Sequence, residues 1–150
     1  MRIHSSKHQG EWAEVRFLDQ AFRRGLHVSK PYGDNTAYDF IVDSRSRLTR
    51  VQVKSVSRLD GDSFRITVSH GGGRKRGYQS RDVDFIAAYV IPCDVWYLIP
   101  VRTIAGLKSI RLCPHRPSHR RHEKFRNAWS LLSTHQKWNP NSAVRLRGVT

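Results

Sequence analysis

The chain of 150 residues holds 27 Lys and Arg against 12 Asp and Glu, a formal net charge of +15, and 38% of it is apolar. That apolar share supports a buried core and excludes a wholly disordered chain, while two Cys with no C-x-x-C pair exclude a disulfide framework. So large a cationic excess implies a polyanionic partner, and nucleic acid fits better than an anionic membrane surface because no lipidation motif, long basic amphipathic helix or membrane-length apolar run is present.

The charge is uneven along the chain. Residues 1–43 balance six acids with six Lys and Arg, whereas residues 95–150 set eleven Lys and Arg against Glu123 alone. A neutral front and a basic back suit a molecule that binds a cation with one part and phosphates with the other. The absence of an apolar leader segment after Met1 and the sparse cysteines point to a cytoplasmic, reducing compartment.

In chain order, a helix is expected over Glu11–Arg24. Phe17, Leu18, Ala21 and Phe22 recur at helical spacing, and Gly25 after Arg23 and Arg24 is a stop signal. Glu14 precedes Phe17, Leu18 and Ala21 by three, four and seven positions, so it falls on the apolar stripe. A carboxylate there needs a partner or a metal. Short strands follow at Leu26–Ser29 and Ala37–Val42, and Leu48–Ser57 returns with a period of two. Leu48, Arg50, Gln52 and Lys54 share one face of that strand; Val51, Val53 and Ser55 share the other. The connection is short enough for an antiparallel pair, which brings Asp39, Gln52 and Lys54 together. Glu14 packing over that face would complete a cluster of four.

Ser63–Ser69 alternates as a strand and runs into a glycine-rich loop carrying Arg74, Lys75 and Arg76, the composition of a loop that closes on a phosphate backbone. Asp84–Ile91 is nearly all apolar, as for a strand covered on both faces. Val95–Ile99 is another strand, followed by a helical turn near Val101–Leu107. Cys113, His115, His119 and His122 fit no familiar zinc spacing; with Arg116, Arg120 and Arg121 they read as an exposed basic loop. A helix is expected over His122–Ser133. No internal repeat and no second domain is visible, so residues 1–150 are read as one domain.

These residues have a chemistry in common. Phosphodiester hydrolysis requires neutralisation of phosphate charge, an activated water and stabilised equatorial oxygens. Oxygen ligands suit hard Mg²⁺, or Mn²⁺ in its place. Asp39 would be the central ligand, with Glu14, the Gln52 side-chain carbonyl and the Val53 backbone carbonyl beside it. Lys54 would orient or deprotonate the water, or stabilise charge as it develops.

Glu14, Asp39 and Gln52-Val53-Lys54 in this layout resemble the PD-(D/E)XK nuclease superfamily. The stretches Gly33–Asp43 and Arg50–Lys54 are similar to its group I intron-encoded homing endonucleases and their stand-alone bacterial relatives. Asp82-Val83-Asp84-Phe85, Trp96–Pro100 and Phe125–Trp129 also fit. The resemblance implies an α/β restriction-endonuclease-like core, a mixed central β-sheet flanked by helices. It also implies metal-dependent cleavage of double-stranded DNA, site-specific in the homing manner, by a homodimer or homotetramer. By position, Glu14 matches the family's helix acid, Asp39 its metal ligand, Gln52 its third ligand and Lys54 its lysine. The sequence departs from the pattern twice: Tyr38 stands where Pro is usual, and Gln52 stands where the superfamily has an acid. A Holliday-junction-resolving nuclease or a non-catalytic DNA-binding protein on the same scaffold are the competing readings.

Overall fold

The computed structural model describes residues 5–116 and 121–133. Helix α1 spans Ser6–Arg23 and begins earlier than the apolar periodicity alone predicts. The reason is a cap: the Ser5 hydroxyl accepts from the His8 backbone N–H at 3.1 Å, and residues 6–10 are helical. Ala13, Phe17 and Ala21, four apart, are fully buried. Phe22 lies about 100° round the helix from Ala21 and is 62% exposed, so it does not belong to the buried stripe. Gly25 ends the helix at φ +69°, its N–H bonded to Phe22 O at 2.9 Å.

The central sheet holds five strands. They are β1 (His27–Ser29), β2 (Phe40–Asp43), β3 (Leu48–Val56), β7 (Phe85–Val90) and β8 (Val95–Pro100), in the order β1-β2-β3-β7-β8. The β3–β7 pair is parallel and the other neighbours are antiparallel, which makes the sheet mixed. Two small ribbons stand outside it: β4 (Phe64–Thr67) with β9 (Ser109–Leu112), and β5 (Ser69–His70) with β6 (Arg76–Gly77). The α/β class and the mixed sheet expected from the sequence are present.

Each face of the sheet buries its own core. On one face Phe40, Val42, Val51, Val53, Phe85 and Ala87 meet α1. On the other, Ile86, Ala88 and Val90 meet the two ribbons, with Tyr78 among them. The β7 strand is buried at every position, as its unbroken apolar run predicts.

The helix expected over His122–Ser133 does not form as one element. A short 3-10 turn at Glu123–Phe125 and helix α2 (Ser130–Ser133) flank an extended kink. Asn127 adopts φ +47°, its N–H bonds Trp96 O at 2.6 Å, and its side-chain Oδ1 accepts from Trp96 N at 3.1 Å. Arg126 pairs with Tyr97 as a β-bridge beside it. This segment satisfies the backbone of β8 instead of continuing a helix, so tertiary pairing overrides helical periodicity.

Candidate active site

The antiparallel pairing of β2 with β3 ends at Phe40–Val51. Asp39 makes one more backbone bond, its N–H to Val51 O at 3.0 Å, and before it the chain leaves the sheet. In a strand the N–H and C=O of one residue point to the same side. Val53, two residues beyond Val51, therefore aims both groups into the fork that β2 vacates.

Side chains fill that fork. The Val53 N–H donates to Asp39 Oδ2 at 2.8 Å, and Gln52 Nε2 donates to the same oxygen at 2.6 Å. Gln52 Nε2 also reaches Val53 O at 3.2 Å. A carboxylate oxygen and a backbone carbonyl thus converge on one nitrogen. Asp39 Oδ1 has no hydrogen bond among the described residues.

The Gln52 orientation differs from the expectation. Its amide nitrogen, not its carbonyl, faces Asp39. Two acceptors crowded into a half-buried fork need a donor, and Nε2 supplies it. Burial raises the Asp39 pKa above the ordinary carboxylate value, the Val53 N–H opposes that rise, and Glu14 adds to it.

Lys54 lies on the Gln52 side of β3 and its ammonium sits 5.7 Å from the centre of the Tyr78 ring. Burial lowers its pKa; Asp39 pulls the other way, and Lys75 lowers it further.

Glu14 reaches the site from the other side of the sheet. Helix α1 packs on the Val51 and Val53 face, not over Gln52 and Lys54 as the sequence pattern implied. Three of its residues, Ala13, Phe17 and Ala21, fill that face, and Glu14 follows them to the rim beside Asp39. Its carboxylate pairs with Lys30 Nζ at 2.7 Å and is 25% exposed, so it is neither bare nor fully wet. It feels Asp39 electrostatically without a hydrogen bond to it.

The family model for PD-(D/E)XK endonucleases matches residues 4–132. The chain belongs to the PD-(D/E)XK endonuclease family. Among solved structures it is similar to a bacterial homing endonuclease, I-Ssp6803I, with 29% identity, a TM-score of 0.76, and coverage of 86% of this chain and 93% of that one. No curated protein matches the sequence. The restriction-endonuclease-like fold anticipated from the Asp39 and Gln52-Val53-Lys54 stretches is thereby shown.

Two side chains of this PD-(D/E)XK chain were not singled out from the sequence. Lys30 follows β1 by one residue, and the Ser29–Ile41 pairing carries it toward the start of β2, where its charge meets Glu14 and Asp39. The strand register contained that signal. Tyr78 had no local signal. It is brought in by the β5–β6 ribbon, where a Cβ on Gly77 would collide with the backbone of Gly106 and Leu107. Glycine there lets the ribbon close, and His70 stacks on Tyr78 with ring centres 4.7 Å apart.

The predicted phosphate-contacting residues divide. Arg74 and Lys75 are exposed on the turn between β5 and β6, Arg76 is exposed at the start of β6, and the Lys75 charge acts on Lys54. Arg116 is exposed and pairs with Asp62 at 3.3 Å. Arg121 is exposed, and Arg120 lies outside the described residues, as does His119. Among the described residues no three His, Cys, Asp or Glu side chains form a metal-ligating group. No helix among them is long and apolar enough to cross a membrane.

Proposed function

We propose that this chain is a divalent-metal-dependent endonuclease that cuts double-stranded DNA at specific sites in the homing manner. The observation that carries the reading is the convergence of Asp39 Oδ2 and Val53 O on Gln52 Nε2, next to a lysine whose ammonium is disfavoured. The amide nitrogen occupies a point where two oxygens need positive charge, so the donor set fits a hard cation such as Mg²⁺. Asp39 and the Val53 carbonyl would hold it, and Glu14 would add a carboxylate through water once Lys30 releases it. Offering Gln52 Oε1 to the cation requires a half-turn of the amide. With two carboxylates and no third, substrate phosphate and water must complete the shell.

A bound divalent cation supplies charge opposite the transferring phosphate and acidifies nearby water. Lys54 does the rest from the protein side. Its depressed pKa lets the neutral amine exist closer to physiological pH, where Nζ can take a proton from the attacking water. The exposed Arg74, Lys75 and Arg76 loop then meets the phosphate backbone, and one site per chain favours an even-numbered oligomer for a double-strand cut.

The test is a cleavage assay on a diverse DNA library with Mg²⁺ or Mn²⁺. Lys54→Ala is expected to cut at least about a hundredfold more slowly while binding DNA as wild type does. Equal cleavage by both would remove Lys54 from the chemistry. A wild type that binds DNA and cuts none of it would leave a DNA-binding protein on a nuclease scaffold.

A further inference from the structure

We propose that the outer face of the β4–β9 ribbon reads base edges in the DNA major groove beside the cut. The inference rests on the nuclease reading for its substrate, and on the ribbon's own geometry for the rest.

The two strands pair in the register Arg65↔Arg111 and Thr67↔Ser109, flanked by Phe64↔Leu112 and Ile66↔Ile110. The period of two divides them sharply. Phe64, Ile66, Ile110 and Leu112 are buried in the core. Arg65, Thr67 and Arg111 are exposed and Ser109 is half-buried, so one polar face looks outward.

That face breaks a rule of sheet stability. Like charges directly opposite each other across an antiparallel pair are destabilising. Arg65 and Arg111 are such a pair. Arg111 is held back by Asp60, with Nη2 to Oδ2 at 3.0 Å, and by Ser63 Oγ at 2.8 Å. Arg65 is not restrained in that way. Its Nε donates to Ser109 Oγ at 3.3 Å, and its two terminal nitrogens have no hydrogen bond among the described residues. A planar two-pronged donor is thus presented to solvent on a fixed strand, the geometry that matches O6 and N7 of guanine.

The dimensions agree. Two strands lie ~4.8 Å apart, and the major groove, ~12 Å wide, admits a two-stranded ribbon. Outward residues two apart, such as Arg65 and Thr67, are separated by ~6.8 Å, about two base-pair rises. Thr67 next to Arg65 offers a methyl and a hydroxyl to the neighbouring step.

The ribbon is also joined to the cutting site. Val68, just past β4, takes a bond from the Tyr78 N–H at 3.3 Å, and Val68 N–H bonds Lys108 O at 2.9 Å. Tyr78 packs beneath Lys54. A base contact at Arg65 is therefore set at a fixed offset from the bond that is cut, which is what site-specific cleavage needs.

A random-sequence duplex library, selected for binding without divalent metal, tests this independently of cutting. Wild type is expected to enrich a defined sequence. Arg65→Ala, and equally Arg65→Lys, should relax preference at one base-pair position by about ten- to a hundredfold while the salt dependence of binding stays unchanged. Folding is checked by thermal midpoint, which should hold or rise in Arg65→Ala once the cross-strand repulsion is gone. A uniform loss of affinity with a salt slope reduced by about one would make Arg65 a phosphate contact and overturn the proposal. So would an unchanged preference, or a wild type with no preference. A wild type that selects sequences but cuts nothing overturns the nuclease reading and leaves the ribbon standing.

Discussion

Strand β3 has two faces built from the same nine residues, and they obey opposite rules. Thr49, Val51 and Val53 are buried beneath α1 and neighbouring side chains. Arg50, Gln52 and Lys54, interleaved with them, are only half-buried and carry a guanidinium, an amide and an ammonium. Burying the first set stabilises the fold. Holding the second set in place works against it, because Lys54 is a charge in a poorly solvated position with Asp39 its opposite charge. Arg50 shows the alternative. Its fork is spent on Asp84, at 3.0 and 3.1 Å, and on the Ser80 carbonyl at 2.8 Å, so it braces β3 against the loop before β7. Lys54, the group on this face proposed for catalysis, has no such bracing hydrogen bond among the described residues.

The largest expected effect breaks the dry face. Phe17 is fully buried against Phe40, Trp96 and Trp129, with ring centres 5.4 to 5.9 Å away. Phe17→Ala should cost about 3–5 kcal/mol in chemical denaturation. On the other face the sign reverses. The folded pKa of Lys54 is depressed, so its contribution to stability is present above the ordinary lysine pKa and lost as pH falls through the folded value. Asp39 is raised, so its contribution is present below the ordinary carboxylate pKa and lost as pH rises through the folded value. Each shift disfavours the charged form, so each group costs stability wherever it is charged. Lys54→Met should therefore raise stability by about 1 kcal/mol at pH 7 while abolishing cleavage, with the gain shrinking above the ordinary lysine pKa. A destabilised Lys54→Met would show that the amine is structural and that the contrast between the faces is false.

A smaller effect sharpens the metal side. Gln52→Glu adds the acid usual in the family at the point where Asp39 and Val53 O converge. Without metal, two carboxylates then face each other and the thermal midpoint should fall. With Mg²⁺ it should climb further than in wild type, with half-saturation at about tenfold lower metal. A weaker response to Mg²⁺ than wild type would place the cation away from residue 52.

The sequence made the local half of this site legible and not the distant half. The alternation over Leu48–Val56 put Gln52 and Lys54 on one side, and the short turn put Asp39 beside them, because strand period and loop length are local properties. Glu14 was recognised from its stripe, yet the side of the sheet on which α1 lies depends on where the helix packs, which no four-residue spacing encodes. The kink at Asn127 was hidden for the same reason: it exists to satisfy Trp96, thirty-one residues away. Lys30 was half visible, through the register of β1 with β2. Tyr78 was not visible, since it arrives through a ribbon closed by Gly77 against the chain at Gly106.

Tyr78 also gives the finest test of how Lys54 is set. Burial, with Asp39 adding to it, pushes the Tyr78 hydroxyl pKa up to about 12, so the ring meets Lys54 as a neutral phenol throughout the working range. A ring face attracts an ammonium by ~0.5–2 kcal/mol, which favours the charged lysine and partly offsets its burial. Tyr78→Leu removes that attraction and should lower the Lys54 pKa. If Lys54 works as the neutral amine, the alkaline-going rise in kcat/KM then moves to lower pH by up to about one unit, with only a few-fold change in the plateau rate. Tyr78→Phe keeps the ring and should leave the profile where wild type has it. A shift of equal size in both variants would assign the effect to the hydroxyl and not to the ring face. Asp39 and Lys75 are the charged groups that also act on this lysine, Glu14 acts on Asp39, and neither variant removes any of them. A moved profile with an unmoved thermal midpoint therefore separates tuning of Lys54 from loosening of the core under it.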